Sequence, residues 1–214
     1  MPFESPAPDT SRSDAKRRAI LDVAREAFQA HGYAATSMSE IAAKLGGSKG
    51  TLYNYFRSKE ELFSAFIADT CQGPAVALFD SLPPMGEGRG LRESLTALGV
   101  SLLEFLQRDE IVAMHRLVVA EAGRFPEIGK LFYEAGPRKG EERFTDFFER
   151  AMDAGRVPRG DAAVMGQRLK DLVMSDLYLR HIWGVPMQMS EARTREHVAQ
   201  SVDLFLKAFE IPES

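Results

Sequence analysis

The stretch GGSKGTLYNYF, residues 46–56, decides how this sequence is interpreted. Its two leading glycines end one helical pattern, and Ser48 can cap a new short helix whose Leu52 faces inward. Because successive helical residues turn by about 100°, Gly50 and Asn54 then lie on the opposite, outward side. A glycine inside a helix costs about 1 kcal/mol of stability relative to alanine. Its outward position favours a surface that a partner approaches closely.

Two further helical patterns precede this stretch. Apolar residues recur at helical spacing over residues 20–28, and Gly32 ends that pattern. A second, shorter pattern covers residues 38–45 and starts with SMSE at 37–40, which is typical of a capping box. Two short helices joined by a glycine turn and packed on a longer helix form a helix-turn-helix unit. We therefore predict a helix-turn-helix domain at residues 13–60.

The polar groups of this unit suit duplex DNA. Lys49 can reach a guanine edge or a phosphate, and Thr51 can contact a thymine methyl or a polar base atom. Lys59, beside a helix N-terminus, and the tyrosine hydroxyls are typical phosphate contacts. Thr36 places a hydroxyl and backbone N–H groups where a phosphate can dock before the second helix. For Tyr53 and Tyr55, half-burial against the core is an alternative interpretation, and it applies most to Tyr55, which lies nearer Leu52 on the helix.

The charge distribution divides the chain into a basic front and an acidic remainder. Between Arg12 and Lys59 there are nine basic and four acidic side chains, so this window carries a net charge of +5. The whole chain has a formal net charge of −4, which leaves −9 for the rest. The two parts of the chain are therefore expected to have different partners, with the basic front suited to a polyanion.

Composition and cysteine usage indicate a cytoplasmic protein. The chain is 44% hydrophobic and 27% charged, which is ordinary for a globular protein. The single cysteine, Cys71, excludes an internal disulfide and fits a reducing compartment. No apolar run approaches the length of a membrane span, and the first residues lack a signal-peptide pattern. Residues 1–12, rich in proline, serine and aspartate, are predicted to be a disordered tail.

Helical spacing of apolar residues continues beyond the helix-turn-helix, and no segment shows strand-like alternation. We predict an all-α fold of about nine helices, with a larger helical domain at residues 61–214. The dipeptide Gly73-Pro74 is expected to kink or end the helix that Ser58 caps. Residues 83–90, PPMGEGRG, are predicted to be a loop.

The C-terminal part of this larger domain is predicted to form a homodimer. Residues 172–183 are apolar on almost every side, which indicates a helix buried on more than one face. We expect the dimer to be built from helices at residues 161–183 and 190–210, with Val202 and Leu206 as candidate interface positions. Either of these two side chains can instead face the core of its own chain. A two-fold dimer would place two recognition helices on successive major grooves of a palindromic site.

The sequence gives no support to an enzyme. The four histidines show no metal-binding spacing; they are His31, His115, His181 and His197. No nucleophile-elbow motif is present, and Cys71 lacks a catalytic signature. We therefore predict no catalytic residue, no metal and no cofactor.

The larger domain is rich in bulky apolar side chains, which suit a small-molecule cavity between helices. The alternative is that each of them simply fills the core. Tyr178 and Trp183 also carry a polar group that can orient a ligand. The candidate lining residues for an apolar or amphipathic effector are Phe66, His115, Phe125, Tyr178 and Trp183.

Residues 17–63 resemble the DNA-binding domain of TetR/AcrR-type transcriptional repressors. The resemblance rests on the aromatic-Gly-Tyr end of the first helix, the Thr-Ser start of the second, SKGTLYNYF and Ser-Lys-Glu. It implies DNA contacts at Thr36, Ser48, Lys49, Gly50, Thr51, Tyr53, Asn54, Tyr55 and Lys59. Residues 116–137 are similar to the C-terminal domain of the AefR-like subgroup. The resemblance further implies a homodimer with a ligand pocket in each larger domain.

Two functions of different classes follow. The first is a repressor that binds a palindromic operator as a homodimer and is released by a small molecule. The second is an architectural or partner-recruiting DNA-binding protein without an effector. A cavity of several hundred Å³ in the larger domain favours the first, and a solid core with a large exposed apolar patch favours the second.

Overall fold

A computed structural model describes residues 10–80, 90–185 and 190–211, which form α-helices and contain no strand. The all-α prediction is confirmed, with eleven helices in place of the expected nine or so. The helices are α1 (Thr10–Ala35), α2 (Met38–Lys44), α3 (Lys49–Tyr55), α4 (Lys59–Asp80), α5 (Leu91–Leu106), α6 (Asp109–Ala122), α7 (Pro126–Ala135), α8 (Pro137–Asp153), α9 (Ala162–Met174), α10 (Leu177–Ile182) and α11 (Glu191–Ala208).

The helix ends in the N-terminal part follow the predicted capping residues. Gly32 has a φ of +77°, which interrupts the helical geometry of α1 three residues before its last residue, Ala35. The Ser37 hydroxyl accepts a hydrogen bond from the Glu40 N–H, and the Ser48 hydroxyl accepts one from the Thr51 N–H. These contacts satisfy N–H groups that a helix start otherwise leaves unpaired.

Two predicted boundaries are wrong. Helix α1 begins at Thr10, inside the expected tail, because neither glycine nor proline interrupts residues 10–12; residues 1–9 lie outside the described part of the chain. Helix α4 continues through Gly73-Pro74 to Asp80 and does not end at this dipeptide. A proline removes one backbone hydrogen bond, and a long helix retains the others. Of the predicted loop at 83–90, Gly90 alone is described, as the residue before α5.

The predicted single helix at residues 161–183 is two helices. Ser175 has a φ of +44°, outside the helical region, so α9 ends at Met174 and α10 starts at Leu177. No residue of α10 is buried in the single chain. The expectation that residues 172–183 are buried on several faces is therefore wrong for the isolated protomer.

The buried side chains form two cores. The first core, defined as the buried residues of α1–α4, α6 and α7, joins the helix-turn-helix to two helices of the larger part. The second core is built mainly from α5, α8, α9 and α11. Phe105 and Leu106 at the end of α5 pack against both cores. The helix-turn-helix unit is thus continuous in packing with α6 and α7.

Candidate functional site

The exposed side of α3 carries the predicted DNA-contacting groups. Leu52 is buried in the first core, as the helical spacing predicts, and it turns the other face outward. We call this outward face the recognition face; it consists of Lys49, Gly50, Tyr53 and Asn54. All four are exposed, and Tyr53 keeps 45% of its surface accessible. Helix α3 thus presents a cation, an aromatic ring and an amide around Gly50, where no side chain covers the backbone.

Gly50 is not required by the fold. A Cβ placed there would meet one atom within 4 Å, the Ser48 hydroxyl at 3.6 Å, which is ordinary van der Waals contact. The chain therefore leaves room for alanine at a position where alanine would stabilise the helix. The glycine makes physical sense when a partner occupies the space beside the α3 backbone.

Ser48 and Thr51 are partly engaged within α3. The Ser48 hydroxyl accepts from the Thr51 N–H at 3.1 Å, and the two hydroxyls lie 3.0 Å apart in a hydrogen bond. Thr51 is half-buried and Ser48 is exposed. Tyr55 is half-buried and packs against the first core, which agrees with the alternative interpretation of this residue.

The Thr36 hydroxyl points into the protein. Its side chain is 1% exposed, and the hydroxyl donates to the carbonyl oxygens of Ala27 at 3.1 Å and Gly32 at 2.8 Å. These bonds tie the start of the α1–α2 connection to the last turns of α1. In this arrangement the hydroxyl is engaged within the protein, and Thr36 fixes the path of the chain from α1 to α2, while its predicted contact with DNA stays a prediction.

Lys59 is also occupied inside the protein. Its Nζ donates to the carbonyl oxygens of Tyr33 at 2.9 Å and Thr36 at 3.1 Å, and it lies 4.2 Å from the centre of the Tyr33 ring. The ammonium thus holds the α1–α2 connection in the structure, while the predicted phosphate contact of Lys59 stays a prediction. Replacing Lys59 would disturb this connection and would not isolate a DNA contact.

A carboxylate from the larger part of the chain completes this connection. Glu121 on α6 accepts hydrogen bonds at Oε1 from the N–H groups of Tyr33 at 3.0 Å and Ala34 at 3.5 Å. Glycine is needed at position 32 for its φ of +77°, and a Cβ there would also push the Glu121 carboxylate away, since it would lie 2.5 Å from Oε1. Sequence reasoning missed Glu121, since no local pattern links residues so far apart.

The Tyr33 side chain also joins α1 to α4. Its hydroxyl donates to Glu60 Oε1 at 3.1 Å, and its ring packs against Phe63 at 5.1 Å. Burial is the main cause that raises the pKa of Tyr33, and the Glu60 carboxylate raises it further, so the phenol stays neutral. Helices α1, α4 and α6 therefore meet through both apolar and polar contacts.

A cavity of about 540 Å³ lies between the two cores. We call it the junction cavity, because Cys71, Phe132 and Ala135 on one side belong to or pack against the first core, whereas Leu102 and Phe144 belong to the second. Its volume falls within the range of small-molecule sites. Any molecule bound there contacts elements of both cores.

Two of the five predicted ligand-binding residues line this cavity. His115 and Tyr178 do so, with ring centres 5.3 Å apart. Phe66 is fully buried in the first core. Phe125 packs instead against Tyr33, at 6.1 Å between ring centres. Trp183 is 70% exposed and follows α10 on the surface, so these three residues lie outside the lining of this cavity.

Burial keeps the cavity histidine and its neighbours uncharged. It lowers the pKa of His115, whose Nδ1 lies 2.8 Å from the Ile111 carbonyl oxygen and donates to it. It raises the pKa of Tyr178, and it raises the pKa of the Cys71 thiol to about 11 although Lys139 acts against it. At neutral pH these three groups are an imidazole, a phenol and a thiol.

The charged lining was not predicted from the sequence. Lys139, Glu141 and Arg143 on α8 and Lys170 on α9 border the cavity. The four-residue spacing of Lys139 and Arg143 was the available signal, since it places both on one helical face.

The described residues contain neither a candidate metal site nor a candidate membrane span. No three histidine, cysteine, aspartate or glutamate side chains gather there in a way that could hold a metal ion. None of the helices in the described ranges combines the length and the apolar character needed to cross a bilayer.

Two parts of the chain match known families. Residues 20–66 match the bacterial regulatory proteins of the tetR family, and residues 93–211 match the C-terminal domain of AefR-like transcriptional repressors. The chain belongs to the TetR family. Proteins of the TetR family are transcriptional regulators and not enzymes, in agreement with the sequence prediction.

Individual TetR-family proteins share this fold along nearly the whole chain. A structure from Mesorhizobium loti assigned to the family is 28% identical, with a TM-score of 0.78 over 92% of this chain and 98% of that one. The flavonoid-responsive regulator FrrA is 32% identical, with a TM-score of 0.77 over 91% and 97%. The uncharacterised HTH-type regulator YezE of Bacillus subtilis is 24% identical over 185 residues, 86% of this chain and 93% of the relative.

Proposed function

We propose that this TetR-family protein is a dimeric repressor that binds palindromic operator DNA and releases it when a small molecule enters the junction cavity. The observation that carries the DNA-binding part is the recognition face of α3, with a glycine that the fold itself does not need. Lys49 supplies charge, and Tyr53 and Asn54 supply hydrogen-bonding groups beside that glycine. A DNA target places the proposed action in the cytoplasm.

Gly50→Ala tests the recognition face without damaging the fold. We expect the free energy of unfolding to stay the same or to rise by up to about 1 kcal/mol, because alanine favours helix. We expect operator affinity to fall at least about tenfold, since the new methyl group holds DNA away from the α3 backbone. Urea denaturation and fluorescence-anisotropy titration of operator DNA measure the two effects.

Gly47→Ala is the matched control for this change. Gly47 lies in the turn before α3, and a Cβ there would meet no atom within 4 Å, so alanine fits at both positions. A Gly50→Ala protein that binds operator as tightly as the parent would show that DNA does not approach α3 at this point.

We place the homodimer interface on the exposed apolar side chains of α9–α11. Val202 and Leu206 are 0% and 3% exposed and belong to the second core, so arginine there would disrupt the protomer itself. Leu204 on α11 is 55% exposed, and Leu179 on α10 is also exposed. Unpaired apolar surface on these helices is what a second copy would cover.

Leu204→Arg is expected to convert the dimer into a monomer at micromolar concentration. A buried, unpaired arginine at each copy of a two-fold interface opposes association twice. Light scattering should give about 23.8 kDa for the variant and twice that mass for the parent. Val119→Arg, at an exposed valine on α6, is the control and should remain dimeric. A dimeric Leu204→Arg protein would move the interface elsewhere.

The junction cavity is the proposed effector site because it lies where the two cores meet. His115 on α6 borders it, and Glu121 on the same helix holds the backbone around Tyr33. Cys71 on α4 also borders it, and Lys59 at the start of α4 holds the same segment. A ligand that shifts α4 or α6 therefore acts on the position of the helix-turn-helix.

Release requires that the ligand favour the arrangement that does not bind DNA. A coupling free energy of about 1–3 kcal/mol would lower operator affinity roughly 5- to 150-fold. FrrA, which is similar over most of this chain, is named as flavonoid-responsive, and this supports a small-molecule effector. The junction cavity also favours the effector-controlled repressor over the architectural alternative, which predicted a solid core.

A further inference from the structure

The junction cavity carries an excess of positive charge. Lys139, Arg143 and Lys170 line it, and Glu141 is the one carboxylate among its described lining residues. Glu141 is already engaged, since Lys170 Nζ donates to its Oε1 at 3.2 Å and the Tyr133 hydroxyl donates to its Oε2 at 2.7 Å. Two cations of the lining are therefore left without a neutralising carboxylate.

These two cations, Lys139 and Arg143, share one face of α8. Both side chains are half-buried, and neither has a side-chain hydrogen bond or an ion pair within the parts of the chain that the structure describes. The neighbouring Arg138 pairs with two carboxylates of this region, Glu134 at 2.6 Å and Glu142 at 2.7 Å. Like charges four residues apart repel, and half-burial weakens their hydration. A bound anion relieves both effects.

The rest of the lining is apolar or uncharged. Leu102, Phe105, Phe132, Phe144 and Met174 form an apolar wall. This wall suits a hydrocarbon or aromatic body. Against such a lining, a cationic ligand would find no free carboxylate among the described residues.

The end of the cavity near α6 and α10 offers one more polar contact. His115 donates through Nδ1 to the Ile111 carbonyl, which leaves Nε2 as an acceptor on a neutral ring. The Tyr178 hydroxyl has no hydrogen-bond partner in the described ranges. A hydroxyl group on the ligand can pair with these groups without any charge.

We infer that the effector of the junction cavity is an amphipathic carboxylate, with its acid group held by Lys139 and Arg143 and its apolar body against the aromatic wall. The arginine fork and the lysine ammonium are both strong donors to a carboxylate. This inference rests on the proposed function, because it names the ligand class of the same cavity.

Three probes with one aromatic body and different charge test the inference: 1-naphthoate, neutral 1-naphthamide and cationic 1-naphthylmethylammonium. Calorimetric titration of the full-length dimer should show 1-naphthoate binding at least about tenfold more tightly than either other probe. Decanoate is the second carboxylate and should also bind. If neither carboxylate binds with a Kd below about 1 mM, or if the amide or the cation binds as tightly, the inference is overturned.

Variants locate the acid group. Lys139→Gln with Arg143→Gln should abolish the preference for the carboxylate, and Arg143→Lys should keep it because the charge remains. Lys130→Gln with Arg150→Gln removes the same charge from exposed positions outside the cavity and should leave the preference unchanged. If the double cavity variant does not fold, the single change Lys139→Gln must still reduce the preference. A preference that survives these cavity changes overturns the inference.

The same titrations separate this inference from the proposed function. Operator affinity is measured with and without saturating 1-naphthoate. Tight binding of 1-naphthoate that leaves operator affinity unchanged would sustain the carboxylate site and contradict ligand-controlled release. Release of operator DNA by the cationic probe and not by 1-naphthoate would sustain ligand control and overturn the carboxylate site.

Discussion

Phe28→Ala is expected to lower the free energy of unfolding by about 3–5 kcal/mol, the range for truncating a buried aromatic side chain. Phe28 is fully buried at the centre of the first core. Its ring lies 5.1 Å from Phe63 in an edge-to-face contact and 6.0 Å from Phe66, so truncation also removes aromatic pairing. The loss is a large part of the 5–15 kcal/mol that stabilises a typical domain. Urea denaturation at fixed protein concentration measures it.

Tyr53→Ala is the contrasting variant, because it also truncates an aromatic residue of the helix-turn-helix. Tyr53 is exposed on the recognition face, so its loss should change stability by no more than about 0.5 kcal/mol while weakening operator binding. Equal stability losses for the two variants, or a loss at Phe28 below about 1 kcal/mol, would contradict the assignment of Phe28 to a shared core.

Lys49→Glu should cause the largest loss of operator binding. A good side-chain contact to a base edge is worth about 1–3 kcal/mol, and a two-fold dimer makes it twice. The expected loss is therefore about 2–6 kcal/mol of binding free energy, with stability nearly unchanged since Lys49 is exposed. Anisotropy titration at a fixed salt concentration measures the affinity, because DNA binding depends strongly on salt.

Lys130→Glu is the matched control for Lys49→Glu. It makes the same change in net charge at an exposed lysine of α7, outside the helix-turn-helix and outside the proposed dimer interface. Similar losses for the two reversals would show that only the total charge of the protein matters, and the recognition face would lose its assigned role.

Local sequence patterns were sufficient to predict the recognition face. The orientation of Leu52 and the caps at Ser37 and Ser48 depend on residues within one or two helical turns, and the structure confirms them. The all-α fold follows from the same helical spacing. These features need no knowledge of distant contacts.

The roles of Thr36 and Lys59 could not be predicted in this way. Lys59 binds the carbonyl groups of Tyr33 and Thr36, and that arrangement appears only once α1, α2 and α4 have packed together. The Thr36 hydroxyl binds the Gly32 carbonyl four residues back, but its almost complete burial was not evident from the local pattern. Glu121 binds the Tyr33 N–H from 88 residues away. The break at Ser175 is a further example, because serine is not a residue type that favours a positive φ and no glycine or proline marks the position.

The cavity lining was predicted only in part, because it also depends on how helices distant in sequence pack together. Bulky residues such as Phe66 and Tyr178 look alike in sequence, yet the first is fully buried in a core and the second borders the cavity. Only the packing of the helices decides whether such a side chain is buried in a core or lines the cavity. Trp183 is neither, since it lies exposed after α10.

Selection of operator sequences from random duplex DNA, followed by competition titration, tests the central claim most directly. The account predicts an enriched palindrome with half-sites about one helical turn, 34–36 Å, apart. The parent protein should bind it at least about 10³-fold more tightly than random duplex at physiological salt. Gly50→Ala should reduce this ratio at unchanged stability. Enrichment of no sequence, or equal affinity for selected and random DNA, would contradict the account.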